Sequence, residues 1–154
     1  LFQKVLEVNL YGARHLAEAV LPYMKQQKSG RLIFTSSGVG VTGFDGISPY
    51  AVSKGAIESL AKCLELEYRK YGISVHLFHP PLTRTRSAAP LPVPAEFMAA
   101  PEKVGEGLAR NIGSRNFVIC HSRPQRFQMK LCYLWPLTMG RMMCRMTERA
   151  KRNL

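Results

Sequence analysis

Apolar side chains recur three or four positions apart in two long segments of the chain, residues 1–28 and 49–70. This spacing places them on one side of an α-helix, so we predict an amphipathic helix for each segment. The predicted buried stripes are Ala13, Leu16, Ala17, Val20, Leu21 and Met24 in the first helix and Ala56, Ile57, Leu60, Ala61, Leu64 and Tyr68 in the second. The other faces of the second helix are predicted to carry Glu58, Lys62, Glu65, Arg69 and Lys70. Gly30 is expected to end the first helix in a left-handed conformation, and Tyr71-Gly72 to end the second.

Short apolar runs that contain β-branched residues follow the two helices. Residues 31–35 and 73–78 have the composition of buried strands in a parallel sheet. Residues 116–120 form a third such run, after a short predicted helix at 101–112. Helices and strands alternating in this order predict an α/β fold, with an open parallel sheet and right-handed crossovers.

Polar and glycine-rich segments follow the first two predicted strands. Ser36 and Ser37 come directly after the first strand, and the glycines of residues 38–48 permit the close approach of a ligand or of backbone. His79 and Pro80 come at the end of the second strand. Ligands bind beyond the carboxyl ends of the strands in such sheets, so we expect both segments to border one crevice.

Composition narrows the class of protein. The 154 residues suit one domain, and 46% apolar with 21% charged residues is typical of a globular chain. Four cysteines without a C-x-x-C pair favour reduced thiols, and four histidines without ligand spacing lead us to expect no metal. The helical pattern is already under way at the first residue, which is not methionine, so we expect the chain to be part of a longer protein.

The net charge of +12 is concentrated near the C-terminus, where residues 120–154 contain eight Lys and Arg residues and one acidic residue. No apolar run there reaches the roughly 20 residues that a membrane-spanning helix requires. Trp135 and Tyr133 beside arginines suit a segment in a membrane interface, broken at Pro136. A helical extension packed on the domain or on a sister subunit is the open alternative. The basic residues lack an organised nucleic-acid-binding motif, which disfavours that class.

Tyr50 and Lys54 carry the chemistry that the sequence predicts. Pro49 suits the first turn of a helix, which would place residues 50 and 54 on one face. A phenol with its ordinary pKa of about 10 is a poor acid-base catalyst at neutral pH, and a neighbouring ammonium favours the phenolate. With Ser37 thirteen positions upstream, this pair would exchange a proton with a carbonyl or alcohol oxygen. A hydride carrier must supply the other half of such a redox reaction, because no side chain does.

These segments resemble the short-chain dehydrogenase/reductase family. The resemblance is carried by Ser37, Tyr50 and Lys54 at this spacing, by Gly38, Gly40 and Gly43, by the strand 31–35 and by the segment 80–85. It implies that residues 1–120 are the C-terminal part of a Rossmann-like, doubly wound domain. The basic, Met-rich residues 121–154 would then be a helical extension.

The resemblance implies a role for each matching residue. Tyr50 would donate or accept the proton, Ser37 would hold the substrate oxygen, and Lys54 would bind the nicotinamide ribose and tune the phenol. Asn9 would position a water beside the lysine, although an ordinary capping or core-edge amide is the alternative. Ser36 ranks below Ser37 because thirteen residues is the family's usual spacing to the tyrosine.

The segment after the second strand matches the family's Pro-Gly-x-x-x-Thr stretch, which contacts the nicotinamide. The cofactor contacts implied for this chain are Tyr50, Lys54, Pro80, Pro81, Leu82, Thr83 and Thr85. Pro81 replaces the common glycine, which removes an N–H and stiffens the loop. This variant is similar to the 3-ketodihydrosphingosine reductases. Residues 82–100, in which Pro90, Pro92 and Pro94 discourage a continuous helix, are predicted to form a mobile loop or lid.

The resemblance leads us to expect an oxidoreductase that uses NADP or NAD, with NADPH favoured by the resemblance alone. Its carbonyl or alcohol substrate would be apolar or lipid-like, of the 3-ketosphinganine or ketoacyl type, and a hydroxysteroid-type reductase stays open. We expect a cytoplasmic homo-oligomer. Peripheral contact with a membrane through residues 124–154 is left open. The alternative is a non-catalytic module that binds a membrane or a partner through its basic tail.

We predict that residues 1–154 alone bind NADPH weakly and turn over little. The glycine-rich turn that binds the cofactor's pyrophosphate at the start of a helix is absent from this sequence. Fluorescence titration of the purified chain with NADPH measures this. Tight, saturable binding would contradict the prediction.

Overall fold

The structure, a computed structural model, describes residues 1–89, 91, 93 and 95–152. The α-helices are α1 (Phe2–Leu6), α2 (Gly12–Gln26), α3 (Val39–Thr42), α4 (Ser48–Tyr68), α5 (Pro101–Asn111), α6 (Arg123–Leu134) and α7 (Pro136–Arg152). The strands are β1 (Gly30–Thr35), β2 (Ile73–His79) and β3 (Val118–Cys120). A π-helical turn (Glu7–Tyr11) joins α1 to α2, and 3-10 turns lie at Arg69–Tyr71 and Ala95–Phe97.

The three strands form one parallel sheet in the order β1-β2-β3. Gly30 lies opposite Ile73 where β1 pairs with β2, and His79 lies opposite Cys120 where β2 pairs with β3. Every strand therefore ends at the same edge of the sheet. The predicted α/β fold with a parallel sheet is confirmed.

Helices cover both faces of the sheet. On one face α2 and α4 pack on β1 and β2 around a core made of Ala17, Leu21, Phe34, Ile57, Ala61, Ile73, Val75 and Leu77. On the other face Phe78, Val104 and Ile119 pack together, and they join β2 and β3 to α5. Ala17, Leu21, Ile57 and Ala61 belong to the stripes predicted from sequence. Leu16 and Val20, which were also predicted to be buried, are 71% and 37% exposed, so the stripe predicted for the first helix is wrong at these two positions, because only the Ala17 and Leu21 side of α2 packs on the sheet. The periodicity of the second helix identified most of the surface that it buries.

The first predicted helix differs from the expectation in two places. The π-helical turn Glu7–Tyr11 interrupts it, and Lys28 rather than Gly30 adopts the left-handed conformation, with φ of 54°. Gly30 instead begins β1, where an added Cβ would lie 2.5 Å from Met24 Sδ. The glycine therefore serves close packing of α2 on the strand.

The predicted position of Glu58 on an outer face of α4 is wrong, because Glu58 is buried. Its neighbour Ile57 belongs to the core stripe, and α4 lies deep enough against the sheet to bury both positions. The second helical segment ends at Tyr71-Gly72 as predicted, and Gly72 closes the following 3-10 turn in a left-handed conformation, with φ of 76°.

Backbone hydrogen bonds join the two ends of the segment between β2 and α5. Arg84 N donates to Ala99 O at 2.9 Å, and Ala99 N donates to Leu82 O at 2.8 Å. These bonds close the described part of the segment at its base. Pro90, Pro92 and Pro94, on which the prediction of a mobile loop rested, lie outside the described residues.

The C-terminal extension forms α6 and α7, separated at Pro136 as predicted. Met129, Cys132 and Met139 are buried with Cys120 in a cluster of their own, and α7 approaches α3 closely at Gly140. The extension thus packs on the domain. Within the described residues, none of the helices has the length and apolar character needed to cross a membrane.

Gly140→Ala is predicted to destabilise the chain, because an added Cβ would lie 2.8 Å from Thr42 O on α3. Alanine is otherwise the better helix former by about 1 kcal/mol. Gly105→Ala in α5 is the matched control, since no atom lies within 4 Å of its added Cβ. Urea unfolding should show a loss of about 1–3 kcal/mol for Gly140→Ala and a small gain for Gly105→Ala. Equal gains for the two variants would contradict the close contact of α7 with α3.

Candidate active site

Tyr50 and Lys54 lie on the first two turns of α4, with Pro49 in the first turn. Lys54 Nζ is 5.7 Å from the centre of the Tyr50 ring and donates a hydrogen bond to Thr35 O at 3.0 Å. Burial lowers the pKa of the Lys54 ammonium. Tyr50 is 39% exposed, so its phenol is open to a ligand. The predicted pairing of a phenol with an ammonium on one helix face is therefore present.

The bond to Thr35 fixes where the ammonium can act. Thr35 is the last residue of β1, so the lysine spans from the helix to the end of the strand. An ammonium carries three N–H donors, and one is used by the Thr35 carbonyl. The remaining donors are available to the hydroxyl groups of a ligand at this edge of the sheet.

Asn9 connects the π-helical turn to the start of α4. Its Nδ2 donates to Ser53 Oγ at 3.0 Å, and Ser53 Oγ donates to Tyr50 O at 2.7 Å. Ser53 is fully buried. Sequence reasoning missed Ser53, although a helical serine that bonds to the carbonyl three residues earlier is a known pattern. The Asn9 side chain thus helps to hold the helix turn that carries Tyr50.

A cleft of about 530 Å³ opens beside this helix turn. Its polar lining comes from Asn9, Thr35 and Lys54. The rest of its lining consists of Val8, Gly12, Ala13, Leu16, Phe34 and Ile57. Tyr50, Ser37 and the 80–85 segment do not line this cleft, which meets the predicted site residues only at Asn9 and Lys54.

Ser37 follows β1 at the same edge of the sheet. Ser36 is buried and Ser37 is only partly buried, so Ser37 is the more accessible of the two. The turn after Ser37 packs on α4, because a Cβ on Gly40 would lie 2.8 Å from the Lys54 carbonyl carbon. Chain contacts therefore bring Ser37 to the part of α4 that carries Lys54. Among the described residues Ser37 Oγ makes no hydrogen bond to Tyr50 or Lys54.

The Pro80–Thr85 segment begins next to the serines, because Ser36 N donates to Phe78 O at 2.8 Å. Within the segment Thr83 Oγ1 donates to Pro81 O at 2.8 Å. Thr85 Oγ1 and Ser87 Oγ are 3.2 Å apart, and Leu82 is exposed. These side-chain bonds are local, so the segment borders the crevice without a hydrogen bond to Tyr50 or Lys54 in the described structure.

Three further polar side chains behind this crevice were not predicted as site residues. Glu58, His79 and Tyr133 are joined by contacts of 2.6 to 3.1 Å. The structure also places no group of three or more His, Cys, Asp or Glu side chains suited to a metal ion within its described residues.

A sequence model of the short chain dehydrogenase family matches residues 1–93, which is more than half of the chain. The chain belongs to the short chain dehydrogenase family. The matched part contains Asn9, Ser37, Tyr50, Lys54 and the 80–85 segment. The resemblance inferred from the sequence is confirmed at the level of the family.

Individual relatives agree with this assignment. The chain is 39% identical over 84 residues to 3-dehydrosphinganine reductase of Danio rerio, and 36% identical over 88 residues to 3-ketodihydrosphingosine reductase of Mus musculus. These alignments cover 54% and 57% of this chain, but only 25% and 26% of the relatives. The chain thus spans about a quarter of the length of these curated relatives.

The fold is also found in solved structures. A short chain dehydrogenase from Burkholderia cenocepacia, solved in complex with NADP, superposes with a TM-score of 0.77 at 14% identity. The match covers 90% of this chain and 58% of that protein. The shared architecture reaches beyond residues 1–93, because nearly the whole chain takes part in it.

Ser53→Ala is predicted to destabilise the chain by about 1–3 kcal/mol, because it leaves Asn9 Nδ2 without its acceptor. Ser59→Ala, at an exposed position of the same helix, is the matched control and should change stability by less than about 0.5 kcal/mol. Urea unfolding of the two variants measures the difference. Equal stabilities would mean that the link between Asn9 and α4 does not stabilise the site.

Proposed function

We propose that this chain is the C-terminal part of an NAD(P)-dependent carbonyl reductase and carries its proton-transfer site. In this proposal residues 1–120 belong to the Rossmann-like domain and residues 121–154 are an extension of it. The observation that carries the proposal is the position of Lys54, whose half-buried ammonium lies between the Thr35 carbonyl and the Tyr50 ring. Family membership and the adjacent cleft add support.

Each side chain has a role that suits its surroundings. The exposed phenol of Tyr50 gives its proton to the substrate oxygen, and Ser37 donates a hydrogen bond to the same oxygen. The Lys54 ammonium stabilises the phenolate that results. Asn9, through Ser53, holds the first turn of α4 in place. In the reverse direction the same groups remove a proton from an alcohol.

The donors of the site fit a nicotinamide cofactor. The free N–H groups of Lys54 suit the ribose hydroxyls, and Tyr50 lies beside them. The backbone of Pro80, Pro81 and Leu82, with Thr83 and Thr85, suits the nicotinamide end at the mouth of the crevice. The cofactor supplies the hydride that no side chain can provide. We favour NADPH on the family resemblance alone.

The proposed substrate is a long-chain ketone of the 3-ketosphinganine type, with a ketoacyl compound as the alternative. The similarity to two reductases named for 3-dehydrosphinganine and 3-ketodihydrosphingosine supports this class. Pro81, which takes the place of the common glycine, agrees with it. We further propose a homo-oligomer, for which Val8 and Leu16 are exposed on the outer helices.

Tyr50→Phe in the intact polypeptide that carries this chain should reduce kcat by at least about a thousandfold, because general acid catalysis contributes roughly that much. Tyr23→Phe, 72% exposed on α2, is the control and should leave kcat unchanged. NADPH oxidation with a long-chain ketone measures both. Thermal unfolding confirms that the variants are folded. Turnover by Tyr50→Phe at the rate of the unchanged protein would refute the proposed function.

A second function, contact with an anionic membrane surface, is favoured by the junction of α6 and α7. Leu134, Trp135 and Leu137 are 65%, 57% and 66% exposed, and they lie within four positions of one another where α6 ends and α7 begins. Lys130 and Arg141 lie one helical turn before and after them. Exposed aromatic and aliphatic side chains flanked by cations suit a lipid interface. In this proposal the protein is cytoplasmic and meets the membrane through residues 124–154.

The double substitution Leu134→Ser/Leu137→Ser should weaken binding to vesicles of phosphatidylserine and phosphatidylcholine by at least about tenfold, because apolar area is lost. The control is Leu66→Ser/Ile112→Ser, at two exposed positions distant in sequence from residues 134 and 137, and it should bind like the unchanged protein. Vesicle sedimentation measures binding. Equal binding by both double variants would remove the membrane proposal and leave the packed extension as the role of the tail.

A further inference from the structure

A buried polar cluster lies behind the proposed site, and we call its members Glu58, His79 and Tyr133 the Glu58 cluster. Glu58 Oε1 is 2.8 Å from His79 Nε2, and Tyr133 Oη donates to Glu58 Oε2 at 2.6 Å. The third side of the cluster is closed by His79 Nε2 and Tyr133 Oη, 3.1 Å apart. The side chains of His79 and Glu58 are 0% and 5% exposed. Three elements, α4, β2 and α6, therefore meet at one carboxylate.

The chemistry of the Glu58 cluster explains why it holds together. A buried carboxylate is stable only when hydrogen bonds replace the water that it has lost. Burial acts to raise the pKa of Glu58, but the close approach of His79, Ser36 and Tyr133 outweighs it and holds that pKa below its ordinary value. Burial and the adjacent carboxylate raise the pKa of Tyr133, so its phenol keeps its proton and remains a donor.

Three segments of the proposed site, which carry Lys54, Ser37 and residues 80–85, are directly connected along the chain to residues in or beside the Glu58 cluster. Glu58 lies one helical turn after Lys54 on α4, and His79 directly precedes Pro80. Ser36, which directly precedes Ser37, is buried with its hydroxyl near the Glu58 carboxylate. A displacement of Glu58 would therefore also displace Tyr50 and Lys54, Ser37 and the 80–85 segment.

Tyr133 is the member that comes from outside the part of the chain matched by the family, residues 1–93. It lies on α6, whose buried residues Met129 and Cys132 anchor the helix against β3. Its ring meets the His79 ring edge to face, with centres 6.0 Å apart. A phenol that keeps its proton and donates it in a hydrogen bond to Glu58 is unsuited to proton transfer with a substrate, so its contribution is structural support of the carboxylate.

We propose that Tyr133 is a positioning residue of the active site: through Glu58 and His79 it fixes α4 against the end of β2, and so sets Tyr50 and Lys54 relative to Ser37. This inference rests on the proposed function for its kinetic consequence. The C-terminal extension then completes the support of the site.

The test compares Tyr133→Phe with Tyr23→Phe in the intact polypeptide, using NADPH-dependent reduction of a long-chain ketone. Loss of one hydrogen bond to a charged group corresponds to a decrease in kcat of about tenfold or more, with a smaller change in KM. The acidic limb of the kcat profile should also move to higher pH, because Glu58 loses a donor that favours its charged form. Tyr23→Phe should change neither quantity.

The shifted acidic limb of the kcat profile is assigned to Glu58, which has other titratable groups nearby. His79 from β2 and Tyr133 from α6 face Glu58 directly, and Cys120 and Cys132 lie near the phenol. The double variant Glu58→Gln/Tyr133→Phe removes the carboxylate, so its profile should lose the shifted limb while kcat stays low. A shifted limb that persists in the double variant would overturn the assignment to Glu58.

Amide hydrogen exchange separates failure of this inference from failure of the proposed function. If the unchanged polypeptide reduces no ketone, the proposed function fails, and positioning is judged by exchange alone. Tyr133→Phe should then exchange several-fold faster than Tyr23→Phe in residues 82–85 and in the first turns of α4. If Tyr133→Phe does not fold, Glu58→Gln takes its place, with the same expected loss of kcat and faster exchange. Unchanged kinetics and unchanged exchange in the folded variant would overturn the proposal.

Discussion

Helix α4 brings a charged side chain to the edge of the sheet on two consecutive turns, and the rest of the site depends on how these charges are satisfied. Lys54 reaches the Thr35 carbonyl at 3.0 Å, and Glu58 reaches His79 Nε2 at 2.8 Å. Both partners are the last residues of their strands. Rotating the helix by one residue would take the half-buried Lys54 ammonium and the buried Glu58 carboxylate away from these partners, and an unpartnered buried carboxylate costs several kcal/mol. The helix therefore has one register on the sheet, and that register places Tyr50 at the crevice.

The family-matched residues and the C-terminal extension contribute differently to this arrangement. Residues 1–93 contain the groups proposed to meet the substrate and cofactor. The extension buries Met129, Cys132 and Met139 and contributes the Tyr133 hydroxyl, while it leaves Leu134 and Leu137 exposed. One side of the extension thus supports the crevice, and the other is free to meet a membrane surface. The sequence left open whether the tail packs on the domain or lies in a membrane interface, and these two interpretations are compatible.

The features predicted correctly from the sequence are those that local spacing controls. Tyr50 and Lys54 face the same way because four residues make about one helical turn. The apolar runs predicted the strands, and the parallel order of the strands brings their carboxyl ends to one edge of the sheet. Glu58 was misplaced because its partner Tyr133 is 75 positions away along the chain. A charged residue beside an apolar stripe is assigned to solvent unless such a distant partner is known. Gly30 was misread for a related reason, since its contact with Met24 arises only when α2 packs on β1.

The most direct test of the account is a crystal structure of the intact polypeptide with NADPH and an unreactive long-chain ketone analogue. The account predicts that Tyr50 Oη and Ser37 Oγ both lie within about 3 Å of the ketone oxygen, the distance of a hydrogen bond. It also predicts that Lys54 Nζ keeps its bond to Thr35 O while it contacts the ribose. A ketone oxygen bound away from Tyr50, or a ribose that does not meet Lys54, would contradict the account.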